Sequence, residues 1–142
     1  MDPVKKLLLK HEGLRLRPYR CTAGKLTIGV GRNIEDVGIS ESEAMYMLDV
    51  DIRRCRRQLS EKLDWFETLD PVRRDALVDM CFNLGIHGLL AFKVMLSAMG
   101  RGDYAQAAIE ALESKWAQQV GRRADRVSKM IMTGMYPPDL YE

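Results

Sequence analysis

Residues 14–31 are the one stretch in which apolar side chains recur every second position; elsewhere they recur every third or fourth. Leu14 and Leu16 alternate with Arg15 and Arg17. After the turn-like Thr22-Ala23-Gly24, Leu26, Ile28 and Val30 alternate with Thr27, Gly29 and Gly31. Successive side chains on an extended strand point to opposite faces, so the pattern predicts a hairpin or small sheet with one apolar face. Its other face carries a hydroxyl and two glycines. That face is either a bare surface for an extended ligand, or the mark of a bulge or bend. One such island among helical patterns restricts the chain to an α+β fold that is mainly α.

The helical readings come with starts and stops. Asp2 before Pro3 is a cap followed by a proline suited to the first turn, and Gly13 closes the helix. Glu12 then lies in the last turn, facing the negative end of the helix dipole. Ser40 and Glu43 are spaced as a capping box, and Ala44, Leu48, Ile52, Cys55 and Leu59 continue as an apolar stripe over about four turns. Asp70-Pro71 repeats the cap, followed by Val72, Ala76, Leu77, Met80 and Leu84, with a break flanked by Gly85 and Gly88. Residues 89–99, LLAFKVMLSAM, read as one nearly all-apolar buried helix. Asp103 caps an amphipathic helix running through Trp116, and a last helix spans Arg123 to Thr133.

Composition narrows the function classes. With 46% hydrophobic and 30% charged residues, a 142-residue chain is expected to be one soluble globular domain. Arg53, Arg54, Arg56 and Arg57 crowd one segment and Arg122, Arg123 and Arg126 another. A net charge of only +2 and no recognisable helix-turn-helix nevertheless argue against nucleic acid as a partner. Cys21, Cys55 and Cys81 fit no C-x-x-C pattern, and His11 and His87 alone build no metal site, so no metal and no cofactor are expected. The segment KKLLLKHEG has three apolar residues in a row where a secretory signal needs about 7–15. No run approaches the roughly 18 apolar residues of a membrane span. Synthesis in a cytoplasm is expected, with no stable membrane association.

The segment HEGLRLRPYRCTAGKLTIGVGRN, residues 11–33, resembles the active-site segment of phage-type lysozymes, the endolysins of glycoside hydrolase family 24. Farther on, LDPVRRDALVDMCFNLG, AFKVML, ESKW and RRADRV resemble the family's helical lobe in order and spacing. The resemblance covers nearly the whole chain. It implies a single lysozyme-like domain over 1–142: a small β-containing lobe at 12–35, a connecting helix at 39–60, and a helical lobe of 1–11 with 61–142. The active site is expected in the cleft.

The implied activity is that of a monomeric muramidase. Its substrate would be the glycan strand of bacterial peptidoglycan, cut at β-1,4 bonds between N-acetylmuramic acid and N-acetylglucosamine. Host lysis would follow once a membrane-permeabilising, holin-type protein lets the enzyme reach the wall in the periplasm. By resemblance, Glu12 falls on the catalytic acid, Thr27 on the family's threonine, and Arg123 on an arginine that pairs with the acid. Asn83, Lys115 and Trp116 fall near sugar-contacting positions. Between Asn33 and Ile39 the chain has five residues where longer relatives insert a helical excursion, so glycan contacts there do not carry over.

Cys21 stands where most relatives carry aspartate. Glycoside hydrolysis normally uses two carboxylates, whereas a free thiol has a pKa of about 8.5 and is only about 3% thiolate at pH 7. Arg20, Lys25 or Arg32 would raise that fraction if they point inward. Three roles stay open for Cys21: a nucleophile, a weak base or hydrogen-bond partner that positions water, or a spectator beside Thr27. The missing carboxylate also keeps two other functions in view. One is a lytic transglycosylase on the same polymer, which needs a single acid; the other is an inactive wall-binding relative.

Overall fold

In the computed structural model, which describes residues 1–141, helix α1 (Pro3–Glu12) begins where the Asp2 carboxylate accepts the Val4 N–H at 3.0 Å. It ends where the Gly13 N–H returns to the Leu9 carbonyl. Strands β1 (Arg15–Arg20), β2 (Leu26–Gly29) and β3 (Arg32–Asn33) follow as an antiparallel sheet in the order β1-β2-β3. Thr27 lies on the central strand, opposite Tyr19 on one side and Asn33 on the other. Helix α2 (Glu41–Lys62) opens on the expected capping box. Ser40 Oγ accepts the Glu43 N–H at 3.1 Å, and Glu43 Oε1 accepts the Ser40 N–H at 2.9 Å.

Helices α3 (Pro71–Leu90), α4 (Lys93–Gly100), α5 (Tyr104–Leu112), α6 (Lys115–Val120) and α7 (Arg122–Thr133) complete a mainly helical α+β fold. Short 3₁₀ turns stand at Phe66–Thr68 and Pro138–Tyr141. The residues divide into two compact units, Met1–Met47 and the chain from Leu48 onward, so α1 groups with the sheet.

Burial in the sheet runs opposite to the apolar alternation. Leu14, Leu16 and Val30 are exposed, and Leu16 keeps 82% of its surface, while Thr27 keeps 3%. The cause is position in the sheet. β1 is an edge strand whose register shifts between Arg15 and Tyr19, which breaks the regular in–out alternation. Thr27 is flanked on both sides, and its hydroxyl donates to the Lys25 carbonyl at 2.8 Å, so its burial strands no polar group.

Charge pairs tie this unit together. Arg20 reaches Glu35, Lys25 reaches Glu35 and Asp36, and Arg32 grips Glu43 with two bonds of 3.0 and 2.7 Å. The Arg32 guanidinium, helped by the Ser40 N–H, holds the Glu43 carboxyl down at about 2.

From Leu48 onward the chain packs around a conventional apolar core. Leu59, Leu77, Met80, Leu89, Met99 and Ile131 are almost entirely enclosed. Residues 89–99 are not the single helix that their composition predicts. α3 ends at Leu90 and α4 starts at Lys93 after a bend of 102°, and Gly85 adopts φ +77° inside α3. Leu89 on α3 and Met95, Leu96 and Met99 on α4 reach the same core from either side of the bend.

The helix expected to run through Trp116 also breaks, because Ser114 caps a new helix by accepting the Ala117 N–H at 3.1 Å. Arg73 ties down the far end of α7, donating to the carbonyls of Ile131 at 2.6 Å and Met132 at 3.0 Å while stacking on the Tyr104 ring. Cys55 and Cys81 are buried in this core, and burial pushes the Cys81 thiol up to about 12. Among the described residues, no single helix is long and apolar enough to cross a membrane.

Candidate active site

Three of the residues singled out in sequence belong to Met1–Met47. Glu12 is the last residue of α1 and is open to solvent, yet its side chain lies over the β2–β3 reversal. A Cβ built on Gly31 would sit 2.5 Å from Glu12 Oε2 and 2.8 Å from its Cδ. The carboxylate therefore occupies the space that a side chain at residue 31 would need. Gly31 is in the reversal rather than on a strand face, as the bend reading expects, whereas Gly29 ends β2 and pairs with Arg15.

Cys21 follows β1 and is half-buried. Its own N–H donates to the Lys25 carbonyl at 3.0 Å, closing the turn that leads into β2. The backbone N–H of Lys25, then that of Ala23, hold the thiol below its ordinary range. Partial burial works against them, and the Thr27 hydroxyl adds to them. The three cations named in sequence have other partners: Arg20 and Lys25 are paired with Glu35, and Arg32 with Glu43. A small nest of turn amides, not a side-chain charge, favours the thiolate.

Thr27 completes the arrangement. A hydroxyl has one proton to give, and here it goes to the Lys25 carbonyl, which also accepts the Cys21 N–H. That carbonyl keeps a donor if the hydroxyl turns toward a thiolate. A carboxyl, a thiol and a hydroxyl are thus carried by one short stretch of chain.

The other candidates lie from Leu48 onward. Trp116 is 4% exposed, too enclosed to stack on a sugar; its indole N–H donates to Asn83 Oδ1 at 2.8 Å, and Phe92 meets its ring edge-on. The tryptophan thus orients Asn83, which is itself exposed and keeps its amide N–H groups available. Lys115 is exposed at the start of α6.

Arg123 has Asp79 as its partner, with Nε to Oδ1 at 2.8 Å and Nη2 to the backbone carbonyl at 3.2 Å. Asp79 escaped the sequence reading, although it precedes Asn83 by one helical turn on α3 and so shares its face. Asp79 and Arg123 border a cavity of about 330 Å³ that also touches Leu48, Ile52, Val78 and Phe82. Also missed were the Lys25 and Ala23 amides. Backbone donors leave no mark in residue types; only the turn glycine Gly24 hinted at them.

The chain is similar to known proteins over most of its length. The family model described as phage lysozyme matches residues 9–130, which include all seven candidates, from Glu12 to Arg123. A probable T4-type lysozyme from Dictyostelium discoideum is 29% identical, across 94% of this chain and 96% of its own length. An endolysin from Acyrthosiphon pisum secondary endosymbiont phage 1 is 31% identical, over 82% of this chain and 80% of that protein. A pre-baseplate central spike protein of Enterobacteria phage T4 is 31% identical over 91% of this chain, but the match spans only 27% of that protein.

Proposed function

The chain belongs to the phage lysozyme family and is a glycoside hydrolase, and on that premise we propose that it cuts the β-1,4 bond between N-acetylmuramic acid and N-acetylglucosamine in bacterial peptidoglycan. The observation that carries this reading is the seat of Glu12. A carboxyl at the end of a capped helix is lodged over Gly31, in the same unit as a thiol whose ionised form is favoured.

Glu12 acts as the general acid and gives its proton to the glycosidic oxygen as the bond to the anomeric carbon breaks. Water attacks that carbon and passes a proton to the Cys21 thiolate, with the Thr27 hydroxyl orienting the water or the sulfur. Cys21 then releases its proton to solvent and Glu12 takes one up, which restores both groups. Turn N–H donors shift the Cys21 thiol toward the ionised form that this role needs. The exposed amide of Asn83, held by Trp116, and the Lys115 ammonium are the sugar contacts; Arg123 supports the site through its bond to Asp79.

In this reading the protein is an endolysin that acts as a monomer on the wall after synthesis in the host cytoplasm. The related proteins named as an endolysin and as a probable T4-type lysozyme support the role. Release then depends on a separate membrane-permeabilising, holin-type protein.

Digestion of purified sacculi, read by product mass and anomeric configuration, tests the chemistry. Hydrolysed reducing ends are expected, whereas anhydro-sugar ends would make the protein a transglycosylase, and binding without cleavage would make it an inert relative. Glu12→Gln should lose about 10²–10⁴-fold in rate while melting close to the parent; a fully active variant overturns the assignment. Cys21→Asp should keep or raise activity, because it restores the usual second carboxylate.

A further inference from the structure

We propose that Gly31 is a positioning residue for the acid: its missing side chain is the seat of the Glu12 carboxylate. The inference rests on Glu12 being the acid, but it concerns how that acid is aimed. Two separate constraints meet at residue 31. The backbone has φ +66°, a conformation that residues with a side chain rarely adopt. Independently, a Cβ there would lie 2.5 Å from Glu12 Oε2, 2.8 Å from Cδ and 3.0 Å from Cγ. All three separations are well inside ordinary contact, which for carbon is about 3.5–4.0 Å.

The identity of the colliding atoms decides what a substitution does. They are the far end of a long, rotatable side chain rather than backbone. A methyl group at residue 31 is accommodated by swinging the carboxylate aside, so the damage falls on the chemistry and spares the fold. Displacing a catalytic group by about 1 Å costs on the order of 10²-fold in rate.

The neighbouring glycines separate the two constraints. Gly38 has nearly the same backbone angle, φ +67°, yet a Cβ there meets nothing within 4 Å. Gly38→Ala therefore carries the backbone strain without the collision.

The experiment compares the parent, Gly31→Ala, Gly38→Ala and Glu12→Gln by steady-state kinetics on solubilised peptidoglycan and by thermal melting. The two alanine variants should lose similar amounts of thermal stability. Gly31→Ala alone should drop kcat, by roughly 100-fold with KM little changed. If Gly31→Ala does not fold, Gly31→Asn keeps the Cβ while tolerating the left-handed backbone, and should show the same loss.

Equal losses in the Gly31 and Gly38 variants would reduce the effect to backbone strain and overturn the proposal. So would parental kcat in Gly31→Ala, even with Glu12→Gln inactive. An active Glu12→Gln would instead remove the acid assignment itself, and the positioning role with it.

Discussion

Every buried apolar side chain among the described residues lies between Cys55 and Ile131, whereas Met1–Met47 buries only the polar Thr27. The later unit is held by enclosed carbon: Leu59, Leu77, Leu89, Met99 and Ile131 share one core. The earlier unit is held by directional bonds: a three-stranded ladder, the Arg32–Glu43 fork, the Ser40 capping box, and ion pairs joining Arg20 and Lys25 to Glu35. The difference teaches something about catalysis. Hydrophobic burial is non-directional and excludes water, but hydrogen bonds and ion pairs fix angles and leave side chains wet. A hydrolase needs aimed groups that water can reach; in the sparsely buried unit Glu12 is open to solvent and Cys21 half-buried, while Thr27 is enclosed beside them in sequence.

The contrast is testable, beginning where the effect is largest. Leu77→Ala should lower global stability by about 2–5 kcal/mol in urea titration, because it opens a void in a fully enclosed site. Activity measured below the new melting range should survive, since Leu77 is neither one of the catalytic candidates in Met1–Met47 nor one of the proposed sugar contacts, Asn83 and Lys115. An inactive but folded Leu77→Ala protein would break the division of labour.

Thr27→Val keeps the shape and removes the hydroxyl, at a cost of about 1 kcal/mol. Its larger consequence should be chemical. The Cys21 thiol loses one of the donors that lower its pKa, so the pH midpoint of its reaction with iodoacetamide should rise as activity falls. Cys55 and Cys81, buried in the core, should stay unmodified in the native protein and serve as an internal reference. An unchanged midpoint would remove the hydroxyl from the thiol's environment.

The smallest effect concerns the Arg32–Glu43 fork. The Glu43 carboxyl is held at about 2 against an ordinary 4.5, so the folded state favours its ionised form. For a carboxylate depressed in this way, the stabilisation is fully present above about pH 4.5 and disappears as pH falls through about 2. Glu43→Gln should therefore melt a little below the parent at pH 7 and alongside it near pH 2. An equal deficit at both pH values would mean that packing, not charge, carries the contribution.

Much of the fold was legible because its signals are local. Asp2, Ser40, Asp70 and Asp103 each cap a helix start, and each capping bond spans only two or three residues. Glu12, Cys21 and Thr27 could be picked out together because they fall within one short segment that resembles a known family. Illegible features depended on distant parts of the chain or on backbone donors. The alternation of Leu14, Leu16 and Val30 suggested an apolar sheet face, but strand order and a bulge put Thr27 inside instead. The apolar run at 89–99 gave no sign of the bend between α3 and α4. Trp116 looked like a sugar contact until its bond to Asn83 and its enclosure made it a support.

By itself, the amino-acid sequence determined where helices begin, where the period changes from helix to strand, and which acid, thiol and hydroxyl stand together. These depend on interactions that close within a few residues, or on the identities of the residues themselves. Tertiary structure alone decided that the Glu12 carboxylate rests in the space left by Gly31, that turn amides rather than arginines favour the Cys21 thiolate, and that Asp79 takes Arg123. Each depends on which groups meet once the chain has folded back on itself, and residue type alone does not specify that meeting.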